Sequence, residues 1–210
     1  MIGRRAFLLG APAAGLLAAC RRTPRRAAIP AGATVLALGD SITFGTGAPA
    51  QASYPTVLAR LSGWNVVNAG VPGDTSAGAL ARLPDLLQQH SPALVLVSIG
   101  GNDFLRRLLP AQTRANVRAI CQQVAASGAQ VLLVAVPEPS ALAAMARSLG
   151  DHPLYGEIAS ELKLPLYEGG WARVLSDPAL RSDPIHANER GYEVFARGLV
   201  DYVRKLGLLA

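Results

Sequence analysis

The chain has 210 residues, 50% of them hydrophobic, with a formal net charge of +6 and a mean hydropathy of +0.28. That length and composition suit one domain with one substantial core. Six of its 20 Lys and Arg residues (Arg4, Arg5, Arg21, Arg22, Arg25 and Arg26) precede Ala27, and beyond that point 14 basic residues meet 14 acidic ones. The body of the protein is therefore neutral, which removes the support for a nucleic-acid partner.

The first five residues, MIGRR, are followed by an uncharged, largely apolar run from Ala6 to Ala19. The run is short for a membrane span and suits the core of an export signal. It ends in Leu17-Ala18-Ala19-Cys20, which resembles the lipobox of bacterial lipoproteins. That resemblance implies a signal peptide over 1–19, lipidation at Cys20 and anchoring in the cell envelope. Arg21 stands where aspartate would direct retention in the inner membrane, so the outer membrane is expected. The RRAFLLG stretch also looks like a twin-arginine signal, so both export routes stay open. Residues 20–32, rich in arginine, proline and alanine, read as a flexible basic tether able to lie on anionic lipid. With Cys20 acylated, Cys121 has no partner for a disulfide, and its helical spacing with Val117, Ile120 and Val124 places it in a core.

Apolar runs at 33–39, 64–70, 93–100 and 129–136 predict strands buried on both faces, and 164–169 predicts a weaker fifth. Helical patterns fall at about 53–61, 75–89, 112–127 and 154–162, with a final amphipathic helix at about 188–206. The alternation predicts an α/β domain over 33–210: three layers, doubly wound, with a mainly parallel five-stranded sheet. Function in such folds gathers at the carboxyl edge of the strands. There the sequence places Gly39-Asp40-Ser41, then NAGVPGDTS (68–76), then Gly100-Gly101-Asn102-Asp103. No G-x-G-x-x-G and no P-loop lysine follows the first strand, so a nucleotide site is not indicated. No His, Cys, Asp or Glu group has metal-ligand spacing, and neither metal nor cofactor is expected.

These ends supply a hydroxyl, glycine amides and an amide side chain. The segment SDPIHAN (182–188) adds Asp183 three residues before His186. Nucleophile, base, base-orienter and oxyanion donors are the needs of acyl transfer. Taken in order, the four blocks resemble the SGNH (GDSL-type) hydrolases, and especially the bacterial periplasmic arylesterases, lysophospholipases and acyl-CoA thioesterases. The resemblance runs from about Thr34 to the C-terminus. It implies Ser41 as nucleophile and His186 as base with Asp183 as its orienter. It further implies an oxyanion hole made by the Ser41 and Gly73 N–H groups and the Asn102 side chain. In the resembling enzymes the segment after GGND borders the acyl groove, which suggests Phe104, Leu105, Leu108 and Leu109 as substrate contacts. The same stretch, 104–109, also reads as a helix packed on the core, and the two uses are compatible. Pro184 stands where related enzymes carry glycine, so a stiffer catalytic loop is expected.

Plainer roles are open to several of these residues. Asp40 could simply cap a helix, Asn102 and Asp103 could form a turn, and His90 and His152 read as a helix end and a loop residue. Three functions fit: a lipid-anchored monomeric esterase acting on acyl esters or thioesters, a carbohydrate or peptidoglycan O-acetylesterase, and a non-catalytic binder. An apolar groove would favour the first and a shallow polar cleft the second.

Overall fold

The computed structural model describes residues 27–138 and 148–209. Five parallel strands form one sheet: β1 (Thr34–Gly39), β2 (Asn65–Gly70), β3 (Leu94–Ser98), β4 (Gln130–Val134) and β5 (Leu166–Tyr167). Their spatial order is β2-β1-β3-β4-β5. The chain leaves β1 for β2 on one side, then crosses to β3 on the other, so the winding reverses between β1 and β3. Such a reversal opens a crevice at the carboxyl edge.

Side-chain alternation along the buried strands builds both halves of the core. Val35, Ala37, Leu94, Leu96, Leu132 and Val134 face one helical layer, which includes α2 (Tyr54–Ser62), α7 (Gly170–Ser176) and α8 (Glu189–Lys205). Leu36, Leu38, Val95, Val97, Val131 and Leu133 face the other, made by α3 (Ser76–His90), α5 (Pro110–Ala126) and α6 (Leu154–Leu162). A period of two sends successive residues to opposite faces, so continuous apolar runs are what a two-sided sheet needs. Cys121 is buried among the second set, and burial pushes its thiol up to about 12. A thiol held in that state is a packing group rather than a nucleophile.

The described helices include two short ones at the carboxyl edge, α1 (Ser41–Phe44) and α4 (Gly101–Leu105). The second corrects the reading of a helix over 104–109. The helix starts at Gly101 because Gly100 takes φ 124°, and the turn beyond Leu105 ends in left-handed geometry, with Arg107 at φ 56°. Strand β5 is also shorter than 164–169. Pro165 has no N–H to pair, and its carbonyl accepts from Leu133 instead.

The packed domain begins inside the stretch expected as tether. Ile29 is buried, its N–H donates to Leu208 O at 2.8 Å, and Trp64 Nε1 donates to Ile29 O at 3.1 Å. The chain thus enters at the amino edge of the sheet, opposite the crevice. Residues 1–26, including Cys20, lie outside the described residues. Among the described residues no helix is long and apolar enough to cross a membrane.

Candidate active site

Ser41 is the first residue of α1, directly beyond β1. Asp40 caps that helix, its Oδ1 accepting from the Ile42 N–H at 3.1 Å, so the capping role and the position beside the serine coexist. The turn is tight enough to demand glycine at Gly39, where a Cβ would collide with Thr43 Oγ1 and the Ser98 carbonyl. The helix start leaves the Ser41 N–H without an acceptor among the described residues.

From the far end of the sequence, the loop before α8 carries Asp183 and His186. Two short contacts hold this loop against the serine turn: Tyr192 Oη donates to Thr46 O at 2.7 Å, and Gly47 leaves just enough room for Ser182. His186 Nε2 lies 2.9 Å from Ser41 Oγ, and Nδ1 lies 2.7 Å from Asp183 Oδ2. A carboxylate can only accept, so Nδ1 carries the proton and Nε2 is left to accept from the serine hydroxyl. Asp183 Oδ1 accepts from the N–H groups of Ile185 and His186, at 2.8 and 2.9 Å. Partial burial pushes the Asp183 carboxyl up, but the His186 ring, the two backbone N–H groups and the imidazolium charge outweigh it and hold it below its ordinary value.

The remaining donors come from the turns after β2 and β3. Gly73 adopts φ 77°, a left-handed geometry that favours glycine, and its N–H has no acceptor among the described residues. Asn102 Nδ2 donates to the Asp74 carbonyl at 2.9 Å and, at a longer 3.4 Å, to Asp40 Oδ2. The longer bond is the one that can yield to a developing oxyanion. Asp74 is in turn fixed by Arg82, which bonds its carboxylate at 2.9 Å and the Gly39 carbonyl at 2.9 Å. Below this floor the buried Asp103 accepts from Ser76 N, Ser76 Oγ and Thr113 Oγ1, and so joins the starts of α3, α4 and α5. Asp103 is therefore a structural tie within α4 rather than a turn former.

Sequence reasoning passed over Asp40 as a member of this centre. It is 3% exposed, and burial pushes its carboxyl up to about 7, with the Ile42 N–H lowering it and the Asp74 and Asp103 charges adding to the rise. Its cap position was readable, but burial beside two other carboxylates follows only from the assembled sheet.

A cavity of about 290 Å³ opens beside Ser41 and Asn102. Its wall includes the apolar side chains of Ile42, Leu105, Val136, Leu149, Leu175 and Ile185. Of the four proposed substrate contacts, Leu105 lies on that wall. Phe104 instead stacks on His152, with ring centroids 4.3 Å apart, and Leu108 and Leu109 point to solvent outside the cavity. His152 is thus a packing residue, its Nδ1 accepting from the Leu154 N–H at 3.3 Å. Leu149 reaches the wall because residues 136–138 pair with 150–152. No local pattern announces a wall drawn from loops and short helices so far apart in the chain. Among the described residues no group of three His, Cys, Asp or Glu side chains converges as a metal site would.

A serine, histidine and aspartate in mutual hydrogen-bond reach, at the switch point of a doubly wound sheet, define a serine hydrolase class of architecture. The chain belongs to the GDSL-like Lipase/Acylhydrolase family, which matches residues 37–194. It is 40% identical over 160 residues to thioesterase 1/protease 1/lysophospholipase L1 of Escherichia coli K12, covering 74% of this chain and 76% of that one. Among solved structures, a crystal structure of TesA superposes with a TM-score of 0.72 at 30% identity, covering 82% of this chain and 99% of the other. Esterase EstA from Pseudoalteromonas sp., in a form inhibited by monoethylphosphonate, gives 0.70 at 25% identity, covering 82% and 97%. The protein is an ester-hydrolysing enzyme that works by serine chemistry.

Proposed function

We propose that this enzyme cleaves acyl esters and thioesters of short to medium chain, lysophospholipids and aryl esters among them, through an acyl intermediate on Ser41. As Ser41 Oγ attacks the acyl carbon, its proton passes to His186 Nε2, and Asp183 steadies the imidazolium. The carbonyl oxygen gains negative charge facing the Ser41 and Gly73 N–H groups and Asn102 Nδ2. His186 then returns the proton to the departing oxygen or sulfur, and the acyl group stays on Ser41. A water molecule attacks next with His186 again as base, releasing the acid and restoring the hydroxyl.

The observation that carries this reading is the apolar cavity opening directly beside the Ser41–His186 pair. A wall of leucine, valine and isoleucine suits hydrocarbon, whereas an O-acetylesterase needs polar contacts around a sugar. Extra methylenes in such a pocket are worth about 1–3 kcal/mol, a factor of ten to a few hundred. On p-nitrophenyl esters of increasing chain length, the domain without residues 1–26 will prefer short-to-medium acyl groups over acetate by a factor in that range. Leu175→Asn or Leu149→Asn will flatten the preference while sparing acetate. Best activity on acetate, with no response to these changes, would pass the lead to the O-acetylesterase reading.

For location, the proposal is a signal peptide over 1–19 and a lipid anchor at Cys20, with the enzyme in the bacterial envelope and held at the outer membrane. The supports are the basic start, the apolar run and the Leu-Ala-Ala-Cys sequence. Each acyl methylene buried in lipid contributes about 0.8 kcal/mol, so several chains hold firmly. Cys20→Ala will release the enzyme from membranes or block its maturation. A palmitate analogue that fails to label the parent would refute the anchor.

A further inference from the structure

The described residues carry six large apolar side chains that are strongly exposed: Phe44, Val71, Leu105, Leu108, Leu109 and Ile185. All six belong to the carboxyl edge of the sheet. Phe44 ends α1, Val71 follows β2, Leu105 to Leu109 run from α4 into α5, and Ile185 lies in the loop of His186. Leu109 is 75% exposed and Phe44 53%. Apolar side chains scattered singly over a surface need no explanation, but their confinement to one edge, around one opening, does.

We infer that this rim is a docking face for an anionic phospholipid surface, seated so that the catalytic cavity opens onto the lipid. Two observations select lipid as the occupant. First, the rim continues into the cavity: Leu105 and Ile185 are exposed outside and also form part of the inner wall. An acyl chain leaving a lipid layer would pass from rim to wall without crossing a polar belt. Second, Arg106 and Arg107 sit between the exposed leucines, in a stretch exposed throughout from Leu105 to Gln112. Arg106 bonds the Gly73 carbonyl at 2.7 Å, and the Arg107 side chain has no partner among the described residues. Leucines that enter the interface with arginines beside them match a layer of hydrocarbon under anionic headgroups. Carboxylates border this face as well, among them Asp183, whose oxygens accept from the His186 ring and the loop N–H groups, and Glu138 on the cavity wall. The charges set among the exposed leucines, however, are those of Arg106 and Arg107. The chain enters the domain at the opposite edge, so the N-terminal segment does not join at this face.

The inference concerns binding and does not depend on which ester is hydrolysed. It can be tested with Ser41→Ala, which consumes no lipid, in the domain from residue 27 onward. That part contains both halves of the core and corresponds to 99% of a solved chain, so it folds by itself. Co-sedimentation with vesicles of phosphatidylcholine containing about one-third phosphatidylglycerol will show binding that weakens with added salt. Leu108→Asp with Leu109→Asp will weaken it at least tenfold on the scale of burying two apolar side chains, and Arg107→Gln about fivefold. These positions are exposed, and an unchanged circular dichroism melt will establish that the variants fold. Three results would each overturn the inference. They are no sedimentation with anionic vesicles, equal binding by parent and variants, and a dimer in light scattering that the leucine changes dissolve, which would assign the rim to a second copy.

Discussion

Ser41→Ala will lower ester turnover by on the order of 10⁶-fold while the thermal melt stays in place. The size of the loss follows from what the hydroxyl does. It is the only atom in the centre placed to attack an acyl carbon while handing its proton to His186, 2.9 Å away. Alanine keeps the backbone N–H at the start of α1, so the three donors proposed to face the oxyanion, from residue 41, Gly73 and Asn102, persist and some residual rate is expected. The fold tolerates the change because, among the described residues, the hydroxyl bonds only His186 and contributes nothing to either half of the core. Turnover with a p-nitrophenyl ester gives the rate, and a serine-directed fluorophosphonate gives an independent check. The parent will be labelled on Ser41 and the variant will not. Turnover within tenfold of the parent in a folded variant would remove Ser41 from the chemistry.

The fold was readable in the sequence because a sheet buried on both faces leaves an unusual mark. Val35 to Leu38, Leu94 to Val97 and Val131 to Val134 are unbroken apolar runs, and helical periods separate them. The errors fall where backbone chemistry overrides that pattern. Gly100 turns the chain two residues after β3 ends, Arg107 ends the following turn, and Pro165 trims the edge strand. Ile29 was hidden for a different reason. One apolar residue among arginines and prolines has no period, and its burial depends on Trp64 and Leu208 from elsewhere in the chain.

The same division applies to the candidate site. Ser41, Asn102, Asp183 and His186 were nameable because each lies in a short polar block at a strand end or loop. Asn102 lies near the serine because β1 and β3 are neighbours, a relation that the resemblance supplied and that spacing alone could not. What surrounds these residues is tertiary. Arg82 reaches from the middle of α3 to both the Asp74 carboxylate and the Gly39 carbonyl. The cavity wall was the least readable part, since Leu149 and Ile185 belong to separate loops and Leu175 to the end of α7. Only Leu105 of the four expected contacts lines it.

Asp183→Asn will lower kcat/KM by about 10⁴-fold, although it changes one oxygen to an NH₂ in a half-exposed side chain. The direction of the hydrogen bonds explains why. Asp183 Oδ1 accepts from the Ile185 and His186 N–H groups, so an asparagine must keep its oxygen there. Its NH₂ then faces His186 Nδ1, where Oδ2 stood at 2.7 Å. A donor at that place requires Nδ1 to accept, which moves the ring proton to Nε2. An imidazole with its proton on Nε2 cannot take one from Ser41. Asp183 is held below its ordinary value, so its contribution to stability is present above the ordinary carboxylate range and is lost only as pH falls through the lowered one. Asp183 therefore stays ionised, and keeps accepting from the His186 ring, until pH falls below that range, and the variant's low rate will not be restored by raising pH. ¹⁵N NMR of the His186 ring will report the tautomer directly, with the proton on Nδ1 in the parent and on Nε2 in the variant. A variant that keeps the parent's tautomer and loses less than tenfold in rate would mean that Asp183 does not orient the base.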